Sequence, residues 1–342
     1  IPSLDCSVLE ILHASEGDPR VSLSRETFRI MGEFGIHSAL AVYISTNNDN
    51  WRFSLITMDL SIGEGKIKRT FSNPRRYSYF LGPDAKTRTP EQYLINRGRV
   101  SDFGNLRSRF SIEVVNKEFY QKIALVFTKL AGGIRTIGGQ QVVFPGLLKL
   151  PSQMSGSIKA KEFSVRLIGR IIFCWFLKKK FSDNNKPLIP DELLSSPNVQ
   201  SNENYYHTIL EPLFFKVLNT PQKLREDVYN KGDFKDIPFL NGGLFEPHND
   251  DYHGKPDYVN TLKIPDEWFI ELFEILETYN FTIDENTLID IDLSIDPEML
   301  GRIFENLLAE INPETEESAR NATGSFYTPR HIVDYMVRES LK

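Results

Sequence analysis

The chain has 342 residues, of which 40% are hydrophobic and 25% are charged, and its formal net charge is −6 at pH 7. This is a globular composition, long enough for two or three hydrophobic cores. Two cysteines, Cys6 and Cys174, argue against a disulfide framework or a cysteine-based zinc site and favour a reducing cytoplasm. The longest apolar run, Ile171 to Leu177, is far shorter than the roughly 20 residues of a membrane span, so we expect no membrane partner.

Residues 1–112 read as a strand-rich α/β region. The opening pattern IPSLDCSVLEIL predicts a strand, and Ser24 to Glu33 predicts a helix. The runs IHSALAVYIST, WRFSLITMDL and KIKRTF, separated by NNDN and SIGEG, predict a three-stranded meander. Because the sequence lacks an initiator Met and begins inside a strand pattern, we expect it to be a fragment of a longer protein.

Residues 113–320 change to a helical hydrophobic period, which predicts a mainly α-helical connector domain and an α+β fold overall. One long helix is predicted from Ile158 to Phe181. Further helices are predicted for YYHTILEPLFFKVLN, PDEWFIELFEILETYN and DPEMLGRIFENLLAEIN, where Asp296 and Pro297 suit a helix start. The stretches LAGGIRTIGGQQ and IPFLNGGLFEPHNDDYHG predict a flexible interruption and a long loop, respectively.

The charge is segregated along the chain. Residues 66–109 contain eleven Lys or Arg and three acidic residues, whereas residues 265–320 contain sixteen acidic residues and two Arg. Such a segregation can make a basic face for DNA within an acidic protein. Two solvated faces without a partner explain the same pattern equally well.

The stretch TGSFYTPRHIVDYM, residues 323–336, predicts a capped helix near the end of the sequence. Thr328 is suited to the N-cap and Pro329 to the first helical position, and the free N–H groups of a helix start attract anions. The stretch therefore either caps a helix and nothing more, or forms one wall of a cofactor site with its aromatic pair.

The motif G-x-F-Y-T-P at residues 324–329 resembles the one that opens the catalytic domain of adenine-specific N6 DNA methyltransferases. The stretches DPEMLGRIFENLL, FLNGGLFEP, GRIIFCWFLKKK and NPRRYSYFLG resemble the restriction-modification branch, in which nuclease, helical, methyltransferase and target-recognition regions can be fused in one polypeptide (type IIG). The resemblance implies a bacterial enzyme that methylates adenine N6 in double-stranded DNA with S-adenosylmethionine. It also implies a nuclease-like mixed sheet in residues 1–112 and the start of a methyltransferase domain in residues 321–342.

By that resemblance Phe326, Tyr327, Thr328 and Pro329 line the S-adenosylmethionine pocket. The family also needs a glycine-rich cofactor turn and an Asn/Asp-Pro-Pro-aromatic loop for the flipped adenine, and neither occurs in this sequence. We therefore expect the chain to be inactive in methyl transfer by itself. Its expected partners are the C-terminal methyltransferase and target-recognition regions of the same polypeptide.

Nuclease candidates are weaker. A PD-(D/E)xK site needs an Asp and a Glu-x-Lys around a divalent metal such as Mg²⁺. Asp59, followed by Glu64 and Lys66, provides these residue types, but the last two fall at a predicted hairpin turn. Asp5 with Glu10 is an alternative without a suitably spaced lysine. An active Mg²⁺-dependent endonuclease, and a nuclease-like region that is absent or decayed, both stay open.

Basic and histidine residues complete the candidates. The predicted DNA contacts are Arg69, Arg75, Arg76, Arg97 and Arg99, which makes a nonspecific DNA-binding or interdomain scaffold an alternative function. A strand whose tyrosines face the core explains the run around Arg75 and Arg76 equally well. Three histidines, which lack a metal-binding spacing, are expected at the surface: His207, His248 and His253.

Overall fold

The computed structural model describes residues 4–15, 20–62, 69–151, 158–182, 186–240, 242–283, 286–287, 289–309 and 330–340. The chain divides into two compact units, one of residues 1–119 and 275–296 and the other of residues 120–274 and 297–342. The fold is α+β, as the sequence predicts. The return of residues 275–296 to the first unit is not visible in the sequence pattern, and the predicted division at residue 112 precedes the observed one.

The regular elements follow one another in this order: β1 (Ser7–His13), α1 (Arg20–Glu33), β2 (Ser38–Ser45), β3 (Trp51–Ile62), β4 (Arg69–Leu81), α2 (Arg88–Pro90), α3 (Phe103–Ser108), α4 (Ile112–Ala131), β5 (Gly133–Ile137), β6 (Gln140–Phe144), α5 (Ile158–Lys178), α6 (Ser196–Ser201), α7 (Tyr258–Thr261), α8 (Asp266–Glu277), β7 (Asp290–Asp292), α9 (Pro297–Ala309) and α10 (Arg330–Ser340). Two π-helical segments, Tyr206–Leu210 and Pro212–Leu218, lie between α6 and α7. None of the helices in the described ranges is long and apolar enough to cross a membrane.

A five-stranded mixed sheet organises the first unit, in the order β1-β2-β3-β4-β7. β1 and β2 are parallel and are joined through α1, while β2, β3 and β4 form the predicted antiparallel meander. β7 adds to the far edge, parallel to β4, from a segment more than two hundred residues later in the chain. The sheet is therefore complete only when a distant segment joins it.

Both faces of this sheet pack against other elements. Under α1 the buried apolar cluster consists of Phe28, Met31, Ala39, Ala41, Tyr43, Ile56 and Met58. On the other face Phe110 lies 5.6 Å from Phe53 and 5.2 Å from Tyr79, measured between ring centroids. Alternate side chains of a strand point to opposite faces. Because both faces of this sheet are covered, the central strands are nearly continuous apolar runs in the sequence.

The second unit is mainly helical, and fourteen of the 21 residues of α5 are buried in it. A Cβ at Gly169 of α5 would lie 1.8 Å from Cζ of Phe304 in α9. The ring of Phe304 therefore occupies space that any side chain at position 169 would need.

One segment of the second unit corrects the sequence analysis. The stretch LAGGIRTIGGQQ, predicted as a flexible interruption, contributes β5 and the start of β6 of an antiparallel hairpin. Gly138 and Gly139 at its turn both have positive φ, 58° and 83°. Two successive positive φ values are what a tight turn between twisted strands requires, which is why both positions are glycine.

Candidate functional site

A cavity of about 480 Å³ lies in the first unit, where β2 begins and where β3 and β4 continue past it. Apart from the hydroxyl residues Ser38 and Thr57, its polar lining consists of Asp5, His37, Asp59, Asn73, Arg75 and Arg107. The cavity therefore combines guanidinium, imidazole, amide and carboxylate groups.

The first carboxylate precedes β1. Asp5 Oδ2 lies 3.1 Å from Nε2 of His37, and the Asp5 carbonyl accepts a hydrogen bond of 2.6 Å from the Ser38 hydroxyl. Asp5 also has a left-handed backbone, with φ of 47°. Asp is one of the few residue types other than glycine that adopt this conformation, and the hydrogen bond from Ser38 holds the Asp5 backbone in it.

The second carboxylate stands at an irregularity of the sheet. The register between β3 and β4 shifts between Thr57 and Asp59, and the Met58 N–H donates to the His37 carbonyl at 2.8 Å. Across this bulge Asn73, itself left-handed with φ of 48°, donates from Nδ2 to Oδ2 of Asp59 at 2.9 Å. Bulges redirect side chains and are frequent beside functional sites.

The structure thus brings together two nuclease candidates that the sequence offered as alternatives. Asp5 and Asp59 line the same cavity, whereas Glu10 is exposed on β1 and is not part of the lining. Glu64 and Lys66 lie outside the described residues. Among the residues that the structure describes, no three His, Cys, Asp or Glu side chains are grouped so that they could hold a metal ion.

Arg75 and Arg76 have opposite environments. Arg75 is exposed and lines the cavity, but Arg76 is 0% exposed, and its Nε donates to Oδ1 of Asp290 at 2.8 Å. The Arg76 guanidinium also lies 4.6 Å from the centre of the Tyr43 ring. The prediction that Arg76 contacts DNA is therefore wrong, because its charge is buried under α1.

Arg76 belongs to a buried network that closes the sheet around β7. Arg20 donates to Asp290 at 2.9 Å, and Arg52 donates to Asp292 at 3.1 Å. Burial alone would raise the pKa of Asp290, but the charge and hydrogen bond of Arg76 outweigh it and lower this pKa. These carboxylates hold β7 in the sheet.

Two other predicted DNA contacts, Arg97 and Arg99, lie on the loop before α3. Arg97 and Arg99 are exposed, and the Arg97 guanidinium lies 4.5 Å from the centre of the Tyr93 ring. Buried Arg109 donates to the carbonyls of Leu94 at 3.2 Å, Gly98 at 2.8 Å and Arg97 at 3.4 Å. One buried guanidinium thus fixes the backbone that presents two exposed ones.

Two sets of predicted residues cannot be placed. Arg69 lies in β4, but its side chain is not described, and residues 326–329 lie outside the described residues. The helix predicted to begin at Pro329 is present as α10, whose described residues run from Arg330 to Ser340. Phe326, Tyr327, Thr328 and Pro329 stay predictions.

The second unit contains a separate cluster of titratable groups. The carboxylate of Glu211 accepts from Nδ1 of His253 at 2.6 Å and lies 2.5 Å from Nδ1 of His207, whose Nε2 lies 2.9 Å from the carbonyl of Leu262. Burial would raise the pKa of Glu211, but the hydrogen bonds from both histidines outweigh it and lower the pKa to about 2. The prediction of a surface histidine is wrong for His207, whose side chain is 4% exposed.

Sequence reasoning missed His37, Asn73 and Arg107 as lining residues. Asn73 carried a usable signal, since Asn tolerates a left-handed backbone better than most residues do. His37 and Arg107 carried none, because their meeting depends on the pairing of β2 with β3 and on the position of α3.

Comparison with known proteins yields one curated relative that bears on these features. The chain is 28% identical over 250 residues to a protein of Methanocaldococcus jannaschii named "Putative type II restriction enzyme and methyltransferase". The aligned part is 67% of this chain but 19% of that protein, so the chain spans about a fifth of its relative. No protein-family model and no solved structure matches the chain. The similarity confirms the resemblance to restriction-modification enzymes that the sequence motifs indicated.

Proposed function

We propose that this chain is the N-terminal portion of a restriction-modification enzyme that methylates N6 of adenine in DNA. The similarity to the M. jannaschii protein carries the proposal, because the name of that protein joins a restriction enzyme to a methyltransferase. The adenine specificity and the cofactor, S-adenosylmethionine, rest on the G-x-F-Y-T-P motif at residues 324–329. The target-recognition region and the rest of the methyltransferase would lie in the same polypeptide.

The proposed chemistry follows from the target atom. The exocyclic amine of adenine is stacked inside duplex DNA, so the base must be extruded before it can react. The cofactor supplies an electrophilic methyl group, and the enzyme aligns the amine with it. The share of this chain is to line the cofactor with Phe326, Tyr327, Thr328 and Pro329 and to hold the DNA backbone with Arg75, Arg97 and Arg99.

The first test is transfer of labelled methyl groups from S-adenosylmethionine to DNA by the polypeptide extended through the methyltransferase region. We expect Tyr327→Ala combined with Thr328→Ala to lower the rate at least a hundredfold, because the cofactor loses an aromatic wall and a hydrogen-bonding hydroxyl. Tyr258→Ala with Thr261→Ala, on α7, is the matched control and should retain activity.

Two results would contradict this proposal. Unchanged transfer by the Tyr327 and Thr328 double variant would mean that the motif only caps a helix. A folded extended protein that transfers no methyl group to any adenine-containing DNA would remove the assigned reaction and favour the DNA-binding scaffold.

A second candidate function, a Mg²⁺-dependent endonuclease, is favoured by the meeting of Asp5 and Asp59 at one cavity. Mg²⁺ commonly takes one or two protein carboxylates and fills its remaining positions with water and phosphate. These two side chains would hold the ion, and His37 would be positioned by Asp5 to accept a proton from the attacking water.

Nicking of supercoiled plasmid by the chain in Mg²⁺ tests this second function. We expect Asp5→Asn and Asp59→Asn each to reduce nicking at least a hundredfold, because each removes a charge from the ion, whereas Asp84→Asn should cut normally. Absence of cleavage in every divalent metal, or full cleavage by both variants, would exclude the endonuclease.

A further inference from the structure

The cavity of the first unit has the size of a small-molecule site. Its volume of about 480 Å³ falls within the roughly 300 to 1,000 Å³ that is typical of ligand pockets. Its lining contains both cations and carboxylates, so a ligand that carries only one sign of charge would be repelled by part of the lining. The ligand should carry an anionic end and a hydrogen-bond-donating end.

Arg75 and Arg107 supply the anionic subsite. Both side chains are exposed. A hydrogen bond to Tyr77 and the nearby charges of Asp59 and Glu113 raise the pKa of Arg75, so its guanidinium stays charged. Guanidinium groups bind phosphate through paired hydrogen bonds, and two of them can share one phosphate between them. A phosphate monoester or a single phosphodiester fits this end.

Asp59 and Asp5 supply the hydrogen-bond-accepting groups of the lining. An ionised carboxylate only accepts hydrogen bonds, and Asn73 and His37 occupy one oxygen of each. The other oxygens are suited to an amino group such as N4 of cytosine or N6 of adenine. Thymine has no amino group, and its one donor on that edge, N3–H, lies between two carbonyl oxygens that a carboxylate would repel. Phe103, also in the lining, offers a ring on which a base can stack.

The backbone around these groups is locally constrained. Four described residues other than glycine have positive φ, and two of them, Asp5 and Asn73, line this cavity. The bulge between Thr57 and Asp59 adds a third irregularity at the same place. Uncommon backbone conformations and bulges recur beside binding and catalytic sites.

We propose that this cavity binds a single nucleotide whose base carries an amino group, with the phosphate on Arg75 and Arg107 and the amino group on Asp59 or Asp5. The nucleotide is either free or an extruded unit of single-stranded DNA. Only the second possibility, that the nucleotide belongs to DNA, rests on the proposed function. Its test contains no S-adenosylmethionine, so its failure and a failure of methyl transfer can be told apart.

Binding to the complete 342-residue chain is measured by calorimetry in the presence of a chelator, which also separates it from the endonuclease. The probes are dCMP, dAMP, dTMP and single-stranded oligomers of cytosine or thymine. We expect dCMP or dAMP to bind at least tenfold more tightly than dTMP, because a charge-assisted hydrogen bond is lost with thymine. A cytosine oligomer that binds more tightly than dCMP identifies DNA as the source, and one that binds more weakly identifies the free nucleotide.

Variants locate the two subsites. Arg107→Gln should weaken the binding of dCMP, dAMP and dTMP about tenfold, and Arg107→Lys should recover part of this loss in affinity. Asp59→Asn should abolish the preference over dTMP. Arg302→Gln is the matched control, since this exposed arginine of α9 pairs with Glu298 in the second unit. The proposal is overturned if no probe binds, if dTMP binds as tightly as dCMP and dAMP, or if correctly folded Arg107→Gln binds like the unaltered chain.

Discussion

Arg75 and Arg76 are neighbours in the sequence, yet one lines a solvent-exposed cavity and the other is fully buried. The alternation of side chains along β4 accounts for the difference, because adjacent residues of a strand point to opposite faces. The sequence indicated that both could lie on a strand, but it did not show which one faced the core. The deciding partner, Asp290, is 214 residues away.

Replacement of Arg76 tests its structural role. Arg76→Met should destabilise the first unit by about 3 kcal/mol, because removal of one partner leaves a buried carboxylate with less compensation. Hydrogen exchange of α1 and β4 peptides measures this loss. Removal of one partner of a buried ion pair typically costs about 3 to 5 kcal/mol. We expect the low end of that range because Arg20 still contacts Asp290.

Arg75→Met is the matched control for this prediction. Its effect on stability should stay within about 0.5 kcal/mol, as for other exposed sites. It should lower the slope of log DNA affinity against log salt by about 1. Equal protection of β4 in both variants would mean that the Arg76 ion pair contributes nothing to the fold.

Among the elements, the sequence predicted those that repeat a pattern over many residues. The meander β2 to β4 and the helices α5, α8 and α9 follow from their periodicity. β7 is only three residues long, Asp290–Asp292, with two acidic residues, so neither its length nor its composition indicated a strand. It forms because buried arginines compensate these acids.

Glu211 links a π-helical segment of the second unit to a loop. Its carboxylate contacts His207 within the adjoining π-helical segment and His253 in the loop before α7. The sequence placed these histidines at the surface because their shared partner could not be identified from spacing alone. The contact makes the attachment of the loop dependent on pH.

The lowered pKa of Glu211 predicts the direction of this dependence. A carboxyl group that titrates near 4.5 when unfolded and at about 2 when folded stabilises the protein above pH 4.5 and loses this contribution as the pH falls towards 2. The full contribution is roughly 3 kcal/mol. Glu211→Gln should therefore lose less stability than the unaltered chain between pH 5 and pH 3.

Urea unfolding monitored by tryptophan fluorescence measures this difference. In a Trp51→Phe background the remaining tryptophans, Trp175 and Trp268, both report on the second unit. Glu226→Gln, which removes an exposed partner of Lys216, is the control and should leave the pH dependence unchanged. An identical loss of stability with and without Glu211 would exclude the linkage.

On the scale of the whole molecule, the charge segregation of the sequence is partly neutralised within the fold. Arg76 comes from the basic stretch and Asp290 from the acidic one, and the two form a buried ion pair. Solvated faces alone therefore do not explain the pattern. The exposed part of the basic stretch, which includes Arg97 and Arg99, is what remains for the proposed DNA contacts. Only the folded structure distinguishes the buried arginines from the exposed ones, since the composition counts every charge equally.

The late arrival of β7 has a consequence for synthesis of the protein. Asp290 follows Arg76 by 214 residues, which at roughly 5 to 20 residues per second means about 10 to 40 seconds of translation. Until then β4 has an open edge and Arg76 has no carboxylate partner. The second unit also includes residues from Pro297 onward. Both units can therefore complete their folding only after about residue 300 has left the ribosome, so the nascent chain stays partly folded while these first 300 residues are made.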